Sequence, residues 1–158
     1  MKRVIVQSLS SIILYVLMAM SIGSFTAGVY QAMSSYQNEG TLVFEMNALP
    51  WIALIVFGVI WSIYSYKTRS DHSLSFWQWS IRMTEFEETD ERERFITKKS
   101  TKNAYTSFGI SVPIMMMTFL FYPLFQDAFP TYPIYALAST LIISTLVYMT
   151  TWIRAYTQ

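Results

Sequence analysis

Few side chains in this sequence are suited to chemistry, and their spacing excludes most sites before any element is placed. Among 158 residues there is no cysteine and one histidine, His72. Thiolate zinc sites, disulfide frameworks and cysteine nucleophiles are thereby excluded. One imidazole builds no histidine metal cage, and without an evident partner it makes a poor pH sensor. Met115-Met116-Met117 covers nearly every direction around a helix, which suits adaptable packing better than a thioether metal site. The densest ionisable cluster is Glu87-Glu88-Thr89-Asp90-Glu91-Arg92. Paired carboxylates ahead of an arginine become a hydrolytic centre only with histidines on later helices, and His72 comes earlier. No catalytic residue, cofactor site or metal site is expected, and the chain reads as a non-enzyme. Eleven Lys plus Arg against ten Asp plus Glu leave a net charge of +1, without the basic excess that direct nucleic-acid binding needs.

The elements that carry these residues are apolar spans. Only 13% of the chain is charged, against roughly a quarter in a soluble domain. Four stretches, residues 4–30, 49–66, 105–125 and 132–153, contain no Asp, Glu, Lys, Arg or His. Each is near or above the roughly 20 residues with which a helix crosses about 30 Å of hydrocarbon. A soluble four-helix bundle of this size would show water a polar stripe on each helix, and these stretches are apolar on every face apart from scattered Ser and Thr. The expected fold is all-α: a single-domain integral-membrane four-helix bundle, with a loop at residues 67–104 between spans two and three. Ionisable residues inside spans mark proton relays and ion pathways; their absence argues against a transporter built from this chain alone. Ser21-Ile22-Gly23 offers a signal-peptide cleavage site, but the apolar run continues past it to Val29, so a retained span is expected.

Charge orders the spans. Lys2 and Arg3 precede span one, Arg154 ends span four, and the other eight basic residues fall between spans two and three. The opposite connections hold Glu39, Glu45 and Asp127 and no Lys or Arg. By the positive-inside rule both termini and the long loop are cytoplasmic, in a bacterial cytoplasmic membrane. The small net charge is thus a separation: eleven basic and seven acidic residues give +4 inside, and three acidic residues give −3 outside. Tyr30, Tyr36, Trp51, Tyr66, Tyr122, Tyr132, Tyr135, Trp152 and Tyr156 fall at span ends, as interfacial anchors do.

Within the spans, Ala19, Gly23 and Ala27 recur every four residues, with Ser24 and Gly28 offset by one, a small-residue seam for close helix approach. The seam serves packing within one chain or between copies. Ala136, Thr140 and Ser144 offer a similar face in span four. Pro113 is expected to kink span three, and Gln126 to Thr131, stiffened by Pro130 and Pro133, to close spans three and four into a hairpin. In the loop, Phe76, Trp77 and Trp79 are expected in the headgroup region. Thr84 and Glu87 are spaced as a capping box, opening one helix that continues into span three or joins it by a slight bend. Acids come first and bases after, with Glu88 and Arg92, and Asp90 and Arg94, at four-residue spacing. Phe86, Phe95 and Ile96 give it a thin apolar stripe. Such a helix is either a solvated extension with its basic end near anionic headgroups or a surface for a partner.

Asp90-Glu91-Arg92-Glu93-Arg94-Phe95-Ile96, then Lys99-Ser100 and Ala104-Tyr105, resembles the Asp-Glu-Arg-x-Arg-Tyr-Ile-x-x-Lys-Ala box that precedes a span in small bacterial membrane proteins of the domain-of-unknown-function type. Phe95 and Ser100 stand where Tyr and Ala are usual. The resemblance implies a membrane-located regulatory or sequestering role beside small helix-turn-helix regulators, and implies no catalytic residues. The leading expectation is a non-enzymatic interaction protein whose charged helix docks a protein partner through Asp90, Glu91, Arg92, Arg94, Phe95, Ile96 and Lys99. The alternative is an accessory subunit of a transporter, exporter or immunity complex, packed on other helices through Ala19, Gly23, Ala27 and Gly28.

Overall fold

A computed structural model describes residues 2–68 and 90–158, and every long regular element among them is helical. The expected features at His72, Phe76, Trp77, Trp79, Phe86, Glu88 and the Thr84–Glu87 capping box lie outside the described residues. Helix α1 spans Lys2–Glu39 and α2 spans Leu49–Lys67. Helix α3 spans Glu91–Phe119, and α4 spans Tyr132–Thr157. Helices α1, α2 and α4 are long and apolar enough to cross a membrane.

The third apolar stretch is helical over only part of its length. Its apolar residues 105–125 are helical only to Phe119, followed by a 3₁₀ turn at Tyr122–Leu124. The preceding turns of α3 are charged and polar. The stretch from Tyr105 to Phe119 covers about 22 Å at 1.5 Å per residue, short of the hydrocarbon thickness. The α3–α4 connection is therefore longer than Gln126 to Thr131, running over residues 120–131. Helix α3 starts after Asp90, whose backbone is extended (φ −99°, ψ 132°) and whose carboxylate accepts from the Arg92 N–H. Asp90 is thus an N-cap, with Glu91 and Glu93 in the first turn where the helix dipole favours acids. Pro113 is accommodated inside α3 without ending it.

Helix α1 runs beyond the apolar stretch to Glu39 and stops at Gly40, which donates its N–H to the Tyr36 carbonyl at φ +70°. That left-handed conformation favours glycine. The chain then folds back along α1: Ser24 Oγ donates to the Asn47 carbonyl at 2.9 Å, and Asn47 Oδ1 accepts from the Leu49 N–H at 3.0 Å to start α2. Pro50 follows in the first turn of α2, as expected.

The helices form an open row, α2–α1–α4–α3, in which α1 and α4 occupy the middle and α2 and α3 pack chiefly on one neighbour each. Its interior is made of small residues: Ser8, Ala19 and Gly23 on one side of α1, and Ser10, Ser21, Gly28 and Ala32 on the opposite side by the 3.6-residue period. Large apolar residues such as Ile13, Ile55, Ile60, Met116 and Leu137 point outward. This is the distribution that lipid requires, because hydrocarbon solvates large side chains while small ones let helices approach. Several hydroxyls are satisfied within their own helix. Ser21, Ser100, Thr140 and Thr145 donate to carbonyls three or four residues back at 2.7–2.9 Å, leaving no bond to seek outside the helix.

Candidate functional site

The charged end of α3 is held against the last turns of α4. Hydrogen bonds join these helices along their length, among them Tyr132 Oη to Thr118 Oγ1 at 2.6 Å, Ser144 Oγ to the Ala104 carbonyl at 2.9 Å, Trp152 Nε1 to Thr97 Oγ1 at 3.1 Å, and Arg92 Nη2 to the Tyr156 carbonyl at 3.4 Å. As one partner advances along α4 the other retreats along α3 by almost the same number of residues. The two helices are therefore an antiparallel pair in register over nearly their full length.

At the charged end the centre of the contact is Trp152, only 1% exposed. Its indole stacks on Tyr156 (centroids 5.0 Å apart, planes at 14°) and donates to Thr97. Ile96, Thr97 and Ser100 form the buried side of α3. Arg92 reaches back over the Tyr156 ring, its guanidinium carbon 5.8 Å from the centroid, a cation–π contact that joins the first turn of α3 to the last of α4. At the other end, Tyr132 lies between Phe119, Phe125 and Tyr122, with centroids 5.2–6.1 Å away. Tyr122 Oη also donates to the Pro130 carbonyl at 2.9 Å. These aromatic rings close the hairpin in addition to lying at a span end.

Residues 91, 94, 95, 98, 99 and 102 project from the side of α3 opposite Ile96, Thr97 and Ser100. Glu91, Arg94, Phe95, Lys98, Lys99 and Lys102 are all exposed, and Phe95 is 69% exposed. The result is one apolar ring set among four cations and one carboxylate, on a helix clamped from behind. It has no nucleophile and base in contact, and no group of three or more His, Cys, Asp or Glu suited to a metal occurs among the described residues.

Comparison with curated proteins finds the uncharacterized lipoprotein YgaO of Bacillus subtilis (strain 168), 31% identical over 111 residues, 70% of this chain and 68% of that protein. The chain belongs to the YgaO family. No protein-family model matches it, and no solved structure does.

In this member of the YgaO family the residues selected from sequence separate into two groups. Asp90, Arg92 and Ile96 serve the chain itself, as N-cap, as cover on Tyr156 and as core, and Ile96, 3% exposed, is not available as an anchor for another protein. Glu91, Arg94, Phe95 and Lys99 remain outward. The small-residue seam separates likewise. Ala19 and Gly23 are buried, and a Cβ on Gly23 would lie 3.0 Å from Tyr135 Oη of α4. Gly28 faces the returning loop, where a Cβ would lie 2.7 Å from the Glu45 carbonyl and 3.0 Å from the Phe44 ring. Ala27, expected in the seam, is exposed. Trp152 and Thr97 lie outside the residues that the sequence pattern singles out for docking. Their signal was the run Ile96-Thr97 with Ser100, a small and apolar stripe opposite the charges.

Proposed function

We propose that this YgaO-family protein is a multi-pass membrane protein with both termini cytoplasmic, and that the outward face of its α3 amino end docks an acidic segment of a cytosolic protein. The observation that carries the docking reading is Phe95, exposed among Arg94, Lys98, Lys99 and Lys102 on a helix whose opposite side is held by Trp152. A large ring held in water by a rigid scaffold, ringed by charge of one sign, suits an interface with an anionic partner.

The orientation is supported by charge and register together. If α4 crosses the membrane with Arg154 inside, the paired bonds carry α3 across beside it, with Ser144 at the depth of Ala104 and Trp152 at the depth of Thr97. Lys98, Lys99 and Lys102 then lie at the inner boundary, where their long stems reach the headgroups. Phe95 falls beyond them, level with the end of α4. The name of the relative speaks of a lipoprotein. These 158 residues hold no cysteine for a thioether-linked lipid, so the apolar helices are the attachment they offer. The accessory-subunit reading draws less support, because Tyr135 and the Phe44–Glu45 turn occupy the seam it depends on.

The test is photocrosslinking in intact cells with a benzoylphenylalanine at position 95. A discrete protein adduct that disappears in the Arg94→Gln/Lys98→Gln/Lys99→Gln variant is expected, with none from position 137 on the lipid-facing side of α4. Lipid-only labelling at position 95, or an adduct indifferent to the three charges, overturns the docking reading.

A further inference from the structure

We propose that residues 41–47 form a free β-edge that takes an extended, basic segment of another protein as its pairing strand. Two contacts fix the conformation of this stretch. The Glu45 carbonyl lies against Gly28, 2.7 Å from where a Cβ would stand, and the Asn47 carbonyl accepts from Ser24 Oγ at 2.9 Å. Gly40, where α1 stops, is 12 residues beyond Gly28 and 16 beyond Ser24, about 18 and 24 Å of helix. The returning chain covers those distances in five and seven residues, which at about 3.3–3.6 Å each leaves no slack. Residues 40–47 are therefore stretched out along α1, and Thr41, Val43 and Phe44 are residues that strands favour.

The alternation of an extended chain assigns its two edges. The carbonyls of Glu45 and Asn47 both point at α1, so the N–H and C=O of Leu42, Phe44 and Met46 point away from it. Residues 41–49 are all exposed, and among the described residues the backbone of 41–46 neither donates nor accepts a hydrogen bond. Such an edge is a template for main-chain pairing, and its side chains choose the partner. Leu42, Phe44 and Met46 are apolar and exposed, which asks for apolar residues opposite them. Glu45 is the one charge of the stretch, and the cleft between it and α1 is lined by Gln31 and Asn47 without a cation, which asks for Lys or Arg opposite Glu45. The chain between Thr68 and Asp90 does not reach this edge to cover it. Thr68 shares a groove with Lys2 and Arg3, and Asp90 precedes the turn of α3 held at Tyr156, 21 residues along α4 from the Tyr135 that faces Gly23. From Arg3, Gly28 is about 37 Å along α1, as far as 21 residues go out and back, so none remains to lie along residues 41–46.

The inference is independent of the α3 face and of the direction in which the row crosses a membrane. In the test, the full chain, isotope-labelled in detergent micelles, is titrated with the end-capped peptide Thr-Val-Arg-Val-Thr-Val-Thr. In antiparallel register this peptide sets valines opposite Leu42, Phe44 and Met46 and its arginine opposite Glu45. Binding is read by residue-resolved amide hydrogen exchange. At about ten times the dissociation constant, the amides of Leu42, Phe44 and Met46 should exchange about tenfold more slowly, and those of Val43 and Glu45, which face α1, at their former rates. A peptide N-methylated at its three valines loses the donors that face the edge and should not bind. One N-methylated at its arginine and central threonine, whose amides face away, should protect as before. Met46→Pro deletes one outward N–H while keeping an extended backbone and should weaken binding of the unmodified peptide about tenfold. The methylated peptides leave the protein untouched, so the test stands even where that variant fails to fold. Uniform protection across residues 42–46, equal binding of the two methylated peptides, or no binding at all overturns the proposal. Alternate protection that is present without peptide and lost on dilution gives the edge to a second copy of this chain and overturns the assignment to another protein.

Discussion

Replacing Thr97 with Val tests whether Trp152 is the clamp that holds α3 on α4. The substitution keeps the shape of the side chain and removes the oxygen that accepts from Trp152 Nε1 at 3.1 Å. A buried N–H left without an acceptor costs about 1–3 kcal/mol, while hydrogen bonds between helices in membranes average about 0.6 kcal/mol and reach about 1.7. The contact lies at the charged end of the helix pair, between those two settings, so a loss of about 1–2 kcal/mol is expected. Trp152→Ala removes the same bond and the stacked indole. Trp152 is buried, and a core Trp truncated to Ala costs about 3–5 kcal/mol. Because the two residues share one bond, the double variant should cost less than the two single losses together, by about 1 kcal/mol. The assay is equilibrium unfolding in mixed detergent micelles, followed by far-ultraviolet circular dichroism. Thr97→Ser, which restores the hydroxyl, should recover most of the loss. Strict additivity in the cycle, or a Thr97→Val variant as stable as the parent, refutes the clamp.

Gly28→Leu should displace the turn at Phe44 and Glu45, because even a Cβ would meet the Glu45 carbonyl at 2.7 Å; faster proteolysis at residues 41–48 is the readout, and unchanged cleavage contradicts the close packing. Gly23→Ala should be milder, since the Tyr135 hydroxyl that it meets at 3.0 Å is the end of a side chain that can turn; a thermal midpoint as depressed as that of Gly28→Leu would reverse this ordering. Tyr132→Phe loses the 2.6 Å bond to Thr118 and keeps the ring cluster, so a cost of about 0.5–1.5 kcal/mol is expected in the same unfolding assay. The absence of native cysteine allows cysteines at positions 95 and 100 to be compared directly in membranes: a water-soluble maleimide should label the first and spare the second, and equal labelling would place Ser100 outside the α3–α4 contact.

The helices of this chain are legible from sequence because long apolar runs cannot hide: α2 begins at Leu49 with Pro50 in its first turn, as the apolar run indicates. Where each helix faces is less legible. Phe95 and Ile96 read as one stripe, but adjacent residues differ by about 100° around a helix, so one projects outward and the other is core. Ala27 and Gly28 diverge for the same reason. Trp152 reads as an interfacial anchor because aromatic residues at span ends usually are; only the partner helix converts it into a buried hub. Helix ends carry a third kind of information. The spacing of Thr84 and Glu87 satisfies a capping box, and so does the carboxylate of Asp90 six residues later, and a pattern scan has no means of ranking two valid caps. Nor could the apolar run at 105–125 reveal that its last six residues leave the helix.

Those six residues expose a constraint that length alone does not express. In the proposed orientation α3 enters the membrane near Ala104, where Ser144 holds it, and its helix ends at Phe119, before the hydrocarbon does. The missing depth falls to residues 120–131, whose Leu120, Phe121, Leu124 and Phe129 are exposed and apolar. A turn near hydrocarbon has to satisfy its own backbone, and this one does so with short-range bonds: Leu124 N–H to the Phe121 carbonyl, Phe125 N–H to Tyr122, Ala128 and Phe129 N–H to Phe125, and Tyr132 N–H to Phe129, all at 3.0–3.1 Å. The 3₁₀ geometry follows from that requirement, since bonds between residues three apart close a turn within fewer residues than an α-helical hairpin would use. Pro123 and Pro130 lack an N–H to satisfy, and Pro130 offers its carbonyl to Tyr122 Oη. In that orientation the turn is continuous with the apolar surface of the row, and it would let α3 remain amphipathic at the end where Phe95 and its surrounding lysines are displayed, while its chain still reaches the far side.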